Sequence, residues 1–163
     1  MLLLLTTVIS VYANDCHVSG KFRDLIDDMN GIAELLSYLD FATNTKIDPD
    51  KCVFEFQGNT KGLYMCQINA STELYVGTDK YLNIENIQIQ GYTNSNIPSE
   101  STYDWGYVAA IAACPNLKLP NTLNMYTEAY KSGYFLNNEI LMICSMHPDA
   151  EDIWIFSVSN MQN

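Results

Sequence analysis

The chain has 163 residues, 48% of them hydrophobic, and carries a formal net charge of −11 from 8 Lys and Arg against 19 Asp and Glu. That length suits one globular domain able to bury about two thirds of its unfolded surface without a metal. The acidity argues against nucleic acid and anionic membrane surfaces as partners, since both require a positive patch.

Residues 1–13 (MLLLLTTVISVYA) combine a short apolar run with a Val-x-Ala ending, the form of a signal peptide's core and cleavage site. The run is too short to span a bilayer. Cleavage after Ala13 leaves residues 14–163 as a single secreted domain with no membrane insertion. Residues 21–29 (KFRDLIDDM) place Phe22, Leu25, Ile26 and Met29 at helical spacing, and Asn30-Gly31 reads as the end of that short helix.

From Ile32 the pattern becomes strand-like. Residues 32–39 and 52–57 flank a polar loop, 40–51, long enough to carry function. A Gly58 to Gly62 hairpin loop leads to a strand at 63–69, and strands at 72–76 and 82–92 continue an antiparallel meander. After a polar loop at 93–102, residues 107–114 (YVAAIAAC) sit between Gly106 and Pro115, a length that suits a strand, and 122–129 (TLNMYTEA) alternate as a further strand. Residues 137–146 (NNEILMICSM) form the later helix candidate, with Asn137 or Asn138 as cap and Pro148 beyond it. Residues 152–159 (DIWIFSVS) close the series as a strand.

The order resembles a lipocalin, specifically the arthropod branch near bilin-binding proteins, apolipoprotein D-like carriers and triabins. Gly31-Ile32-Ala33 occupies the place of the family's Gly-x-Trp, with Ala33 where the family has Trp. Lys51-Cys52 resembles the Lys-Cys that begins the second strand. Residues 102–107 (TYDWGY), running to Cys114, resemble the family's Thr-Asp-Tyr-x-x-Tyr segment before a Cys-terminated strand. The resemblance implies a mainly β fold, an up-and-down antiparallel barrel of about eight strands with a short N-terminal helix and one C-terminal helix.

It also implies function: a secreted carrier holding a small hydrophobic ligand in the barrel cavity. The alternative is a triabin-like inhibitor that binds a protein target through its surface or mouth loops. For the cavity, Ala109, Ala110, Ala112 and Ala113 offer a small-residue wall, and Leu35, Tyr64, Tyr75, Ile111, Met125 and Tyr126 are candidate liners.

The five cysteines, Cys16, Cys52, Cys66, Cys114 and Cys144, match neither a CxxC pair nor a zinc spacing, and an odd count leaves one thiol free or intermolecular. Family analogy pairs Cys16 with Cys114. Cys144 is then the leading partner for Cys52, and Cys66 the second. Asn69-Ala70-Ser71 is an N-glycosylation sequon. His17 and His147 are the only histidines, and no GxSxG, HExxH or phosphate loop is present. No enzyme activity, cofactor or metal is expected.

Overall fold

The computed structural model describes residues 16–93 and 97–161. The expected signal peptide, residues 1–13, lies outside them.

A helix, α1 (Phe22–Ser37), opens the fold, and a single 3₁₀ turn, Pro49–Lys51, precedes a four-strand meander. Its strands are β1 (Val53–Gln57), β2 (Lys61–Asn69), β3 (Thr72–Asp79) and β4 (Ile84–Tyr92). Two helices follow, α2 (Glu100–Ala113) and α3 (Leu119–Ser132), and a second meander of β5 (Tyr134–Leu136), β6 (Ile140–His147) and β7 (Ala150–Asn160). All pairings are antiparallel, and β7 lies beside β4, giving one seven-stranded sheet in the order β1-β2-β3-β4-β7-β6-β5.

Antiparallel meander character is therefore present, but the sheet is open and β1 and β5 stand at its edges. The expected barrel does not close, because segments needed as wall strands are helices. Residues 107–114 belong almost wholly to α2, and 122–129 lie within α3. Both pack on one face of the sheet, where Tyr126 meets Phe156 edge-on at 5.0 Å and Tyr130 approaches Trp154.

α2 is hydrophobic nearly all round, with Trp105, Val108, Ala109 and Ala110 fully buried, as expected for a helix enclosed on every side. Its alanines let it lie close to its neighbours rather than line a void. Gly91 on β4 gives Thr102 room to press against the strand, and a Cβ at Gly106 would meet Tyr126 Oη at 2.6 Å.

The other differences have equally local causes. α1 continues through Asn30-Gly31, so residues 32–37 are helical: Ala33 and Leu36 extend the buried stripe of Phe22, Leu25, Ile26 and Met29 at helical spacing. Residues 140–147 are strand β6 rather than helix, since Ile140, Met142 and Cys144 are buried alternately and pair with β7.

Two disulfides are formed, an arrangement that fits an extracellular protein. Cys16–Cys114 ties the N-terminal arm to the end of α2. Asn160 completes that attachment, accepting from Val18 N at 2.8 Å and donating to Val18 O at 2.7 Å. Cys52 bonds Cys66, not Cys144. The register explains this: Val53 faces Met65 across β1 and β2, so Cys52 arrives beside Cys66, whereas β6 lies five strands away from β1 in the sheet. Cys144 is a free, buried thiol.

Strand alternation gives the sheet two different faces. Toward the helices point Leu74, Val76, Ile87, Ile89, Phe156 and Val158, all buried. Away from them runs a cross-strand row of Tyr75, Gln88, Ser157, Ile143 and Tyr134, with a second row of Gly77, Asn86, Ser159, Leu141 and Leu136 beside it.

Candidate binding site

The inward stripe of α1 leaves Asp24, Asp27, Asp28 and Glu34 exposed on its outer side. After Tyr38 the chain turns back, with Asp40 in the left-handed region at φ 65°, and residues 41–48 run alongside the helix. Backbone groups in this stretch lack a strand partner and must find other ones. Asn30 supplies two, accepting from Ile47 N and donating to Ile47 O, both at 2.8 Å. Thr43 Oγ1 donates to Ala33 O at 2.7 Å. Ala42 N donates to Asp104 Oδ2 at 2.6 Å, and burial raises the Asp104 carboxyl above its usual range while that hydrogen bond pulls it down. Ile47 is buried, Phe41 packs near Tyr107, and Arg23 pairs with Asp50 at 2.5 Å where the strap ends.

Helix and strap thus form the walls of an open groove of about 450 Å³. Asp27, Asn30, Gly31, Glu34 and Ser37 line it from the helix, and Thr43, Asn44, Thr45 and Lys46 from the strap. Two carboxylates face one ammonium, and amides and hydroxyls supply neutral acceptors. At the C-terminal end of α1, Leu35, Tyr38 and Leu39 stand 69%, 76% and 65% exposed. These large apolar side chains stand open to water beside the acidic groove.

The expected liners do not gather around one space. Leu35 lies on the exposed rim just described. Tyr64, on the helix side of β2, stacks on Phe22 at 3.8 Å and tilts against Phe54 at 4.5 Å. Tyr75 is on the opposite face, hydrogen-bonded to Glu73 at 2.7 Å, its phenol pushed up to about 12 by burial and by that carboxylate. It borders an open cleft of about 300 Å³ with Val53, Met65 and Gln67. Ile111, Met125 and Tyr126 are core residues of α2 and α3, and Tyr126 Oη donates to Tyr103 O at 2.6 Å.

Asn69 sits at the β2–β3 turn, where its Oδ1 accepts from Ser71 N and Ser71 Oγ and its Nδ2 donates to Ser101 Oγ at 2.7 Å. His17 lies in the N-terminal arm, and His147 Nδ1 accepts from Asp149 N in the β6–β7 turn. Among the described residues no three His, Cys, Asp or Glu side chains group as metal ligands, and no helix is long and apolar enough to cross a membrane.

One wall of the groove comes from a stretch that stands out in the sequence, the polar loop at 40–51; the other brings Asp27 and Glu34 from α1. What joins them is Asn30, which looked like a helix terminator and is instead the clamp on the strap. No family model, curated protein or solved structure matches this chain.

Proposed function

We propose that the protein is a secreted binding protein without catalytic activity. Its α1–strap groove takes a basic segment of another protein, with Leu35, Tyr38 and Leu39 receiving that segment's apolar side chains. The observation that carries this reading is the acidic groove of Asp27 and Glu34 running into three adjacent, widely exposed apolar residues. A net charge of −11 attracts cationic partners and accelerates their encounter, while the apolar rim supplies desolvated contact area.

Of the two readings the sequence offered, carrier and protein-binding inhibitor, the second has more support. A carrier needs an enclosed apolar cavity. Here the space inside the sheet holds Trp105, Tyr126, Met29 and Phe156, all at most 1% exposed. Secretion fits the two disulfides, and Asn69 as a glycan acceptor belongs to the same extracellular reading.

The test is fluorescence anisotropy with a labelled peptide of alternating Lys and Leu, compared with its Glu-Leu counterpart. Saturable binding of the basic peptide is expected, weakening with salt and lost in the Asp27→Asn/Glu34→Gln double variant. Equal binding of the acidic peptide, or binding indifferent to the double variant, would remove the groove from consideration. A co-purified apolar molecule in a native mass spectrum, or visible colour in the absorbance spectrum, would return the carrier reading to first place.

A further inference from the structure

The strap beside α1 carries backbone groups that the fold leaves open. Residues 43–48 are extended, with Thr43 and Ile47 buried and Asn44, Lys46 and Asp48 exposed. In an extended chain the N–H and C=O of one residue point to the same side, and those of the next residue to the other. Ile47 turns both of its groups toward α1, where Asn30 takes them, and Ala42, of opposite parity, turns its N–H away to Asp104 on α2. Thr45 shares the parity of Ile47 and so turns its own N–H and C=O toward α1. Among the described residues nothing bonds to either group.

The space in front of Thr45 is the groove itself. Two ties set the register of strap and helix, Ile47 with Asn30 and Thr43 with Ala33, so Thr45 falls opposite Gly31. Both residues line the groove, and a Cβ on Gly31 would meet nothing within 4 Å. Asp27 and Glu34 flank Gly31, about one helical turn to either side. A peptide unit brought into this gap finds a donor and an acceptor on the strap, a helix without a side chain opposite, and a carboxylate on each flank.

Given the groove reading on which this rests, we infer that the basic segment enters as an extended chain and adds to the strap as a strand, its main chain exchanging hydrogen bonds with Thr45 over Gly31. Charge selects the side chains: Asp27 and Glu34 outnumber Lys46 in the groove, so positive groups on the incoming chain find a counter-charge on either side of the paired residue. The open backbone selects the conformation. A helical segment has already used its N–H and C=O groups internally and has none to offer Thr45, whereas an extended one presents them along its edge. Main-chain pairing then fixes the register, and alternate side chains turn toward α1.

Two N-methylated forms of the alternating Lys-Leu peptide test it by fluorescence anisotropy, one methylated at the main-chain nitrogen of every lysine and the other at that of every leucine. Their charge is equal, and in an extended chain the two sets of N–H groups point to opposite sides. One form is expected to bind as the unmethylated peptide does, and the other at least about tenfold more weakly, because its methyl groups meet the strap. Hydrogen exchange on the isotope-labelled protein supplies the matching readout. At saturation the Thr45 amide is expected to slow at least about tenfold, while those of Asn44 and Lys46, which point away, keep their rates. Two methylated forms that bind alike, whether as tightly as the unmethylated peptide or both more weakly, overturn the inference. A Thr45 amide that exchanges equally fast with and without peptide overturns it too, and in both cases the groove reading stands on its side chains alone. Failure of the unmethylated peptide to bind removes the groove reading and strand addition with it.

Discussion

On the helix side of the sheet, Leu74, Val76, Ile87, Ile89, Phe156 and Val158 are each at most 1% exposed. Their immediate neighbours along the same strands, Tyr75, Gln88, Ser157 and Ile155, face the other way and are only half-buried. Each strand therefore meets two separate demands, one residue apart. The inner set is chosen for volume, because it must fill the space under α2 and α3. The outer set fills no such space, and several of its members could be exchanged without disturbing the fold.

Truncation separates the two faces most sharply. Phe156→Ala removes a ring held edge-on by Tyr126 and leaves a cavity, so a loss of about 3 to 5 kcal/mol is expected in denaturant unfolding. Its neighbour Ile155 points outward, and Ile155→Ala is expected to change monomer stability by no more than about 0.5 kcal/mol. Comparable losses at the two positions would show that the outer face is covered within the monomer and would remove the contrast.

Cys144 tests how dry the inner face is. Burial pushes its thiol up to about 11, opposed by a hydrogen bond with Trp154. A folded-state value raised above the unfolded one contributes stability that is complete below the unfolded value, near 9, and is lost as pH rises toward 11. Two pH units correspond to roughly 2 to 3 kcal/mol. The parent is therefore expected to lose stability relative to Cys144→Ala across that window and to resist iodoacetamide at pH 8 until unfolded. Prompt alkylation of the native protein would place the thiol in contact with water.

The alternation that distinguishes the faces is readable from the residues alone wherever strands carry it. The meander of β1 to β4, the hairpin at Gly58 and the closing strand β7 all follow from it. It misleads where a helix is buried all round. Residues 107–113 show no polar stripe because α2 has no solvent face, so length and the flanking Gly and Pro were the only guides, and they favoured a strand. In α3 the buried set Thr122, Met125, Tyr126 and Ala129 has helical spacing, yet polar residues between them also fit a period of two. These two segments decide between a closed barrel and an open sheet, which is why the topology was not legible. The groove was half legible: its loop was visible, but no local pattern reveals that Asn30 and Asp104 each reach across to hold the strap.

Asp104 holds the strap from the core side, 6% exposed, with Ala42 N–H as its partner. Asp104→Ala leaves that N–H without an acceptor, and a loss of about 1 to 3 kcal/mol is expected, together with weaker binding of the basic peptide as the strap loosens. Asp104→Asn keeps an oxygen acceptor and removes the charge. Because burial raises this carboxyl, its contribution is complete below the ordinary carboxylate value of about 4 and declines as pH rises through the raised one. The Asn variant is expected to lack that decline and to match or exceed the parent in thermal unfolding at pH 7. A large loss at pH 7 on Asn substitution would mean that the ionised group is required.

The smallest expected change is at Gly31, in the groove itself. Its φ is not positive, a Cβ there meets nothing within 4 Å, and it sits inside α1 where Gly is about 1 kcal/mol poorer than Ala. Gly31→Ala is therefore expected to stabilise the protein by about 0.5 to 1 kcal/mol. Its effect on the basic peptide then reports on the occupant. Unchanged affinity means the peptide contacts Asp27 and Glu34 from above, through charge alone. Weaker binding with higher stability means the ligand backbone lies against the helix at Gly31, the one position on this wall without a side chain, and the absent Cβ serves recognition at a cost to the helix.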